Sequence, residues 1–505
     1  MKLYLKGHDY KYAVEQIMLT MFPEQRPEYT DVPPIDGDRA AITLSYGDKY
    51  ATAAATVTAD GVTERGSARA AVSELGDSQQ TDRILQKILK IAFFRAAVKI
   101  TGRHPAWGSL TGIRPGKLAA NMLERGMSEK QVRRTLEKEY SVSPVRVDLC
   151  MSSAIQGLRL KNRLEARDIA LYVGIPFCPT RCAYCSFVSN SVEKSMKLVE
   201  PFLNALYGEI TATARVVNDL GLRVRSLYIG GGTPTTLSAD QLDTLINRLK
   251  NDFDLSQIEE FCVEAGRPDT IDTDKLTTLK RNGVTRISIN PQTMSDRVLT
   301  AIGRHHTAGQ VLEAYRLARD VGFDSINMDL IAGLPADTAE GFRRTLDTVM
   351  ELEPENITIH TLSLKKGTRI TLEGTPKPDE AAVGEMLDYS MSALTSAGYA
   401  PYYLYRQKFM SGGFENIGWA KIGRESFYNI AIMEELCSII AMGGGASTKL
   451  CAPETGRIER IFNPKYPLEY IEMANKVISS KEQIKEFYES EVRSDYGIQP
   501  EQDNK

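Results

Sequence analysis

The stretch GIPFCPTRCAYCSF, residues 174–187, places Cys178, Cys182 and Cys185 in a C-x3-C-x2-C spacing immediately after an apolar run at 170–175. Three thiolates on one short loop can hold three irons of a cubane cluster and leave the fourth iron open to a chelating ligand. A structural zinc site normally takes four protein ligands. No fourth Cys or His stands at a suitable local distance, because His305, His306 and His360 lie far along the chain. The triplet therefore reads as the seat of a [4Fe–4S] cluster at the end of a strand, and the fold has to supply such a place.

Outward from the triplet, residues from about 168 alternate short apolar runs with helical periods, the sign of β/α units on a parallel sheet. Strands are expected at 170–175, 226–229, 260–264, 286–289, 325–331 and 356–362, with helices such as 307–321 and 339–353 between them. Six units are too few for a closed eight-stranded barrel, so the expectation is an α/β fold built on an open, partial (β/α)6 TIM-like barrel with its chemistry at the strand C-termini. Residues 1–165 alternate β-rich runs (41–46, 51–58) with long amphipathic patterns such as 81–101, and read as an N-terminal α+β accessory domain. Residues 166–375 form the core barrel. Residues 376–505 form a C-terminal α+β extension with a helix at 379–397, a Tyr-rich strand at 399–406, a Gly-dense loop at 443–446 and a charged tail from 481 that is expected to fray. The segment WGSLTGIRPGKL, 107–118, reads as a basic loop capping the next helix, although Arg114 and Lys117 could hold an anion.

A chain of 505 residues with 42% hydrophobic residues is too long for one ordinary core. With 62 basic against 65 acidic side chains the net charge is −3, so no global positive field recruits nucleic acid or an anionic membrane. No run of about 18 apolar residues marks a membrane span, and no basic start with an apolar follow-on marks a signal peptide. Seven cysteines are sparse for this length and three crowd together. This suits reduced thiols in a cytoplasm better than a secreted disulfide scaffold.

The triplet resembles the signature of the radical S-adenosylmethionine superfamily, and the resemblance continues into the oxygen-independent coproporphyrinogen III oxidase family. LYVGIPFC, the GGGTPT of Gly230 to Thr235, the EAGRP of Glu264 to Pro268, Gln292 in SINPQT, the GRHH of Gly303 to His306 and NMDLIAGLP from Asn327 to Pro335 recur in family order over roughly 168–450. The chain is most similar to the coproporphyrinogen dehydrogenase branch, whose members carry a similar N-terminal extension. The resemblance implies that Cys178, Cys182 and Cys185 hold the cluster and that Gly231, Gly232 and Thr233 meet the amino and carboxylate groups of S-adenosylmethionine. It also implies that Glu264, Gln292, Arg304 and Asp329 hold the rest of that cosubstrate, with Tyr172 and Tyr184 lining the pocket.

Read on their residues alone, Gly230–Gly232 is also an ordinary turn, and Arg304 and His305 also fit a surface ion pair. Acidic side chains at Glu264 and Asp329, in strands of a sheet covered on both faces, call for a ligand. The implied reaction is reductive cleavage of adenosylmethionine, then oxidative decarboxylation of propionate groups on a porphyrinogen-like tetrapyrrole, with flavodoxin or ferredoxin as electron donor. Two departures matter. The oxidases carry a further Cys where Phe187 stands. In this the chain resembles the related heme chaperones, so heme delivery is the alternative, but those carry a heme-ligating His where Glu415 precedes Asn416; a radical enzyme on another tetrapyrrole is a third reading.

Overall fold

The computed structural model describes residues 1–185, 190–191, 195–363, 368–407, 413–452 and 455–495. Phe187 and the end of the charged tail lie outside the described residues. Two compact units emerge, one of Met1–Met151 with short pieces around Arg406 and Phe414, the other of most of the remainder.

In the first unit, strands β1 (Lys2–Lys6), β2 (Glu28–Tyr29), β3 (Arg39–Tyr46), β4 (Tyr50–Ala59) and β5 (Val62–Ala71) form one sheet in the order β2-β1-β3-β4-β5. Strand β4, YATAAATVTA, buries Ala51, Ala53, Ala55 and Val57 at alternate positions, as a one-sided strand must. That face packs on helices Lys11–Met21 and Ser78–Thr101 through Val14, Ile17, Leu85, Leu89 and Phe93. The longer helix starts where the Asp77 carboxylate accepts from Gln80 N and stops at Gly102 in the left-handed region (φ 64°), as expected of its pattern. The basic segment at 107–118 leads, at Arg114, into a helix over Pro115–Glu124 with proline in its first turn.

The second unit carries β6 (Asp168–Ile175), β7 (Phe177–Cys178), β8 (Asn190–Ser191), β9 (Arg223–Gly231), β10 (Glu260–Glu264), β11 (Arg286–Ser288), β12 (Ile326–Ala332) and β13 (Asn356–Thr361). It continues with β14 (Ala400–Arg406), β15 (Glu415–Ala420), β16 (Ser438–Gly443), β17 (Ser447–Ala452) and β18 (Arg457–Phe462). Six parallel strands run in sequence order from β6 through β9, β10, β11 and β12 to β13. This is the partial (β/α)6 arrangement expected, with strand limits within three residues of those read from the sequence.

Beyond it, β16 adds parallel to β6, and β17 and β18 follow antiparallel, while β15 pairs antiparallel with β13 and β14 lies outside it. The C-terminal strands thus extend the core sheet at both edges to eleven strands. The sequence signalled β14 through its tyrosines. β15 and β16 are buried along their whole length, and such short continuous runs carry no period.

Between strands, helices Ala239–Asp252 and Ala308–Asp320 open with reciprocal capping boxes, Ser238 with Gln241 and Thr307 with Gln310, and Asp272 and Thr338 cap two more. Each such cap stabilises its helix by about 1 kcal/mol.

The charged tail does not fray over its described part. It forms a helix at Glu482–Asp495 that buries Ile484 and Phe487. Just before that helix Lys481 is buried beside Glu209 of helix Val199–Asp219, Nζ to Oε1 2.6 Å. Glu209 also accepts from Gly443 N at 2.7 Å, Asn463 Nδ2 at 2.7 Å and the Tyr470 hydroxyl, and Lys481 donates to Ala441 O at 3.0 Å. Every charge in this knot is answered, which lets a lysine sit inside. No helix among the described residues is long and apolar enough to cross a membrane.

Removing one member of such a pair strands the other. Lys481→Met is therefore expected to lower stability by about 3–5 kcal/mol in urea unfolding followed by circular dichroism, and Glu209→Gln added to it should restore most of the loss.

Candidate functional site

Strand β6 ends at Ile175, and β7 carries the chain on to Cys178, the first thiol of the loop. The loop is seated by main chain from the end of β9: Gly232 N donates to Ile175 O at 2.8 Å and Thr233 N to Phe177 O at 2.7 Å. A Cβ on Gly232 would lie 2.4 Å from Phe177 O, and Gly231 has φ 109°, so both positions require glycine. The glycine run thus first serves to let two backbones meet. Gly230 is bare for a different reason, since a Cβ there would lie 2.9 Å from the Glu264 carboxyl carbon.

Donors converge on the sulfurs. The Thr233 hydroxyl stands 3.5 Å from Cys178 Sγ, and Arg267 Nη1 stands 4.0 Å from Cys182 Sγ. Arg304 is buried, donates to Asn290 O at 2.6 Å, and has Cys182 and Tyr184 beside it. Burial opposes its charge, but those two neighbours outweigh burial and hold the guanidinium ionised above its ordinary range. Burial in turn pushes the Tyr184 phenol well up. A surface ion pair is thereby excluded for Arg304. The three thiols are partly exposed, whereas Cys150, Cys262, Cys437 and Cys451 are buried.

Among the described residues no three Cys, His, Asp or Glu side chains stand together as metal ligands. Soft sulfur donors answered by a hydroxyl and two guanidinium groups suit an anionic iron–sulfur cluster.

Beside the loop, the strand ends present a polar surface. Glu264 closes β10, accepting from the Tyr228 hydroxyl at 2.6 Å and from Gly231 N at 3.2 Å. Burial pushes its carboxyl up to about 7, helped by Asp329 and opposed by the two hydrogen bonds. Asp329 lies at the middle of β12. It accepts from Asn327 Nδ2 at 2.8 Å and has His360 Nε2 at 3.7 Å. Burial pushes it up, but His360, Asn327 and Thr358 together hold it below its usual value. Neither acid is as bare as the sequence suggested.

Gln292 follows β11 with φ 67°, a left-handed conformation costly for a residue with a Cβ. It is locked there by N to Asp329 O at 2.9 Å and by Ile331 N to its own carbonyl at 3.0 Å. Its buried Oε1 has no hydrogen-bond partner among the described residues. A strained backbone with an unanswered acceptor is what a ligand-binding position leaves behind. Deeper in, Tyr172 stacks on Tyr228 and on Tyr428 with centroids 6.1 Å apart in each case, and burial drives all three phenols upward.

Three residues here carry no role in the sequence reading. Arg267 sat inside a quoted motif, but its reach back to the loop was not legible. Asn290 accepts from Asp329 N at 3.3 Å through its side chain. His360 was read only as too distant to be a local zinc ligand, and the sheet brings it beside Asp329.

A family model described as the radical SAM superfamily matches residues 172–349. The oxygen-independent coproporphyrinogen-III oxidase-like protein HemZ of Bacillus subtilis is 37% identical over 438 residues, covering 86% of this chain and 87% of that one. The heme chaperone HemW of Escherichia coli is 30% identical over 302 residues, 59% of this chain and 74% of its own. Among solved structures, coproporphyrinogen III oxidase from Escherichia coli, described as a radical SAM enzyme, matches in fold with a TM-score of 0.51 at 24% identity, over 64% of this chain and 72% of that one.

Replacing Cys178, Cys182 and Cys185 together with Ala is expected to abolish iron loading, about four irons per chain in the anaerobically reconstituted protein. Replacing any one of Cys150, Cys262, Cys437 or Cys451 should leave iron content and cluster absorbance in place.

Proposed function

The chain belongs to the radical S-adenosylmethionine superfamily, among the oxygen-independent coproporphyrinogen III oxidase-like proteins, a family that uses a [4Fe–4S] cluster and S-adenosylmethionine; on that premise we propose that it oxidatively decarboxylates the propionate side chains of coproporphyrinogen III or a close tetrapyrrole. Cys178, Cys182 and Cys185 would hold the cluster, with Thr233, Arg267 and Arg304 answering its negative charge. When bound, the cluster and adenosylmethionine supply the one-electron chemistry and the hydrogen-abstracting group.

The chain's own residues bind and orient. Glu264 and Asp329 offer carboxylate oxygens to the ammonium and ribose hydroxyls of the cosubstrate, contacts that charge strengthens to about 1.5–3 kcal/mol each. Gln292 offers the acceptor that now has no partner. Gly231, Gly232 and Thr233 bring main chain close to the methionine end, and Tyr172 and Tyr184 wall the pocket from water. The substrate loses a hydrogen atom from a propionate arm, then carbon dioxide and one electron to an acceptor, leaving a vinyl group. A cytoplasmic setting with a flavodoxin- or ferredoxin-type donor would supply the reducing electron.

The observation that carries the reading is the strained Gln292 with its unanswered oxygen, set among Glu264, Asp329 and the glycine-seated cluster loop. The likeness to HemZ also reaches into the N-terminal 165 residues, since it spans 438. Against heme delivery, the position of the chaperones' ligating His is Glu415, fully buried at the start of β15, where its carbonyl accepts from the Thr361 hydroxyl. A buried carboxylate is a poor heme-iron ligand.

An anaerobic assay of the reconstituted protein with dithionite, adenosylmethionine and coproporphyrinogen III is expected to yield 5′-deoxyadenosine and vinyl-bearing product. Deoxyadenosine without vinyl product would point to another substrate. Tight stoichiometric heme binding with a histidine-ligated spectrum would favour delivery.

Asp329→Asn and Glu264→Gln should keep iron and weaken adenosylmethionine by roughly tenfold or more. Because the Glu264 carboxyl sits near 7, affinity in the parent should fall as pH drops below about 7 and the group takes up its proton, by at most about tenfold per unit. Glu264→Gln should flatten that dependence, read by equilibrium binding across pH 6–8.5. Unchanged affinity in both variants would sink the assignment.

A further inference from the structure

Arg267 is 3% exposed, and each of its terminal nitrogens is engaged. Nε donates to Asp269 Oδ1 at 2.9 Å and Nη2 to Asp269 Oδ2 at 2.7 Å, a two-pronged pairing that fixes the plane of the guanidinium. The remaining nitrogen, Nη1, points away from the carboxylate and at the cluster loop. It reaches the Thr180 hydroxyl at 3.2 Å, Thr180 O at 3.4 Å and Cys182 Sγ at 4.0 Å. Arg304 brings a second buried guanidinium to the same sulfur, held in place by Asn290 O and Gly266 O. His306 lies buried near both and adds no third positive charge, since burial and the two arginines hold its imidazole down to about 4.

Two cations thus face one of the three thiols, while Cys178 receives the neutral hydroxyl of Thr233. A cluster that gains an electron gains negative charge, and a nearby fixed cation favours that state. Hydrogen bonding to a ligand sulfur acts in the same direction. Asp269, partly open to solvent, supplies an opposing charge one residue further out.

We infer that Arg267, aimed by Asp269, is a positioning residue that raises the one-electron reduction potential of the cluster through the Cys182 sulfur. The inference rests on the assignment of Cys178, Cys182 and Cys185 as cluster ligands. Arginine suits the task because its fork can grip Asp269 with one edge and present a fixed N–H to the loop with another, which a lysine cannot do.

The test is a redox titration of the full-length, anaerobically reconstituted protein, following the reduced cluster by electron paramagnetic resonance, with iron counted on the same samples. Arg267→Met is expected to keep about four irons and to lower the reduced fraction at a fixed potential about tenfold, equivalent to about 59 mV for one electron. Asp269→Asn keeps an acceptor oxygen to aim Arg267 while removing the opposing charge, and is expected to shift the midpoint the other way. Arg267→Lys, which keeps charge without the fork, should fall between parent and Met. Opposite signs at 267 and 269 mark an electrostatic effect, whereas a disturbed loop would move both the same way.

Midpoints of Arg267→Met and parent that agree within about twofold in reduced fraction, or shifts of one sign in both positions, overturn the inference. So does loss of iron in both Arg267→Met and Arg267→Lys, which would make Arg267 a clamp on the loop. A parent protein that takes up no cluster instead overturns the ligand assignment, and so separates the two failures.

Discussion

The site depends on a contact between two stretches of main chain. Gly232 and Thr233 donate to the carbonyls of Ile175 and Phe177 at a separation that excludes any side chain on Gly232. Because β6 and β9 are neighbours in register, Gly174 opposite Gly230 and Ile175 opposite Gly231, the end of one strand can pin the loop leaving the other. Side chains then need only be placed along two rigid strands. Thr233 arrives beside Cys178, and Glu264 arrives over the bare Cα of Gly230. A larger residue at 232 would move the loop before it touched any ligand.

Around that contact the interior is polar where a parallel sheet is ordinarily apolar. β6 buries Ile169, Ala170, Leu171, Val173 and Ile175, as such a strand should. Across the same sheet, Arg286 pairs with Glu260 at 3.2 Å, and Asn327 bonds to Asp329. The first of these is complete, since Glu260 also accepts the backbone amides of Phe427 and Tyr428 at the start of helix Phe427–Glu434. Near the cysteine loop Gln292 is left short of a partner and Glu264 is pushed toward neutrality. An unanswered acceptor beside the cysteine loop leaves a place that a polar ligand could fill.

The six β/α units were legible because short apolar runs alternate with helical periods from about residue 168. The cysteine loop stood out because three cysteines within eight positions have few alternative readings. The flanking strands β15, β16 and β17 were not, because short, almost wholly buried runs show neither the period of a helix nor the alternation of a half-exposed strand. The described part of the tail was misread from its charge, since nothing local in the sequence says that Lys481 meets a carboxylate 272 positions earlier. Arg267 was hidden for the same reason: its partners at Thr180 and Cys182 lie 85 to 87 positions away and only the closing of the sheet brings them near.

The position of β16 has a consequence for how the chain comes into being. β6, the first core strand made, is paired on one side by β9 but on the other only by Ser438–Gly443, and the helix packed nearby keeps Glu209 without its cation until Lys481 has emerged. At ordinary rates of synthesis that interval is on the order of tens of seconds. Throughout it the nascent barrel carries an open apolar strand edge, the feature that most invites pairing with the wrong chain. The barrel thus begins well before it is sealed, and holding chaperones would have their task concentrated in that window.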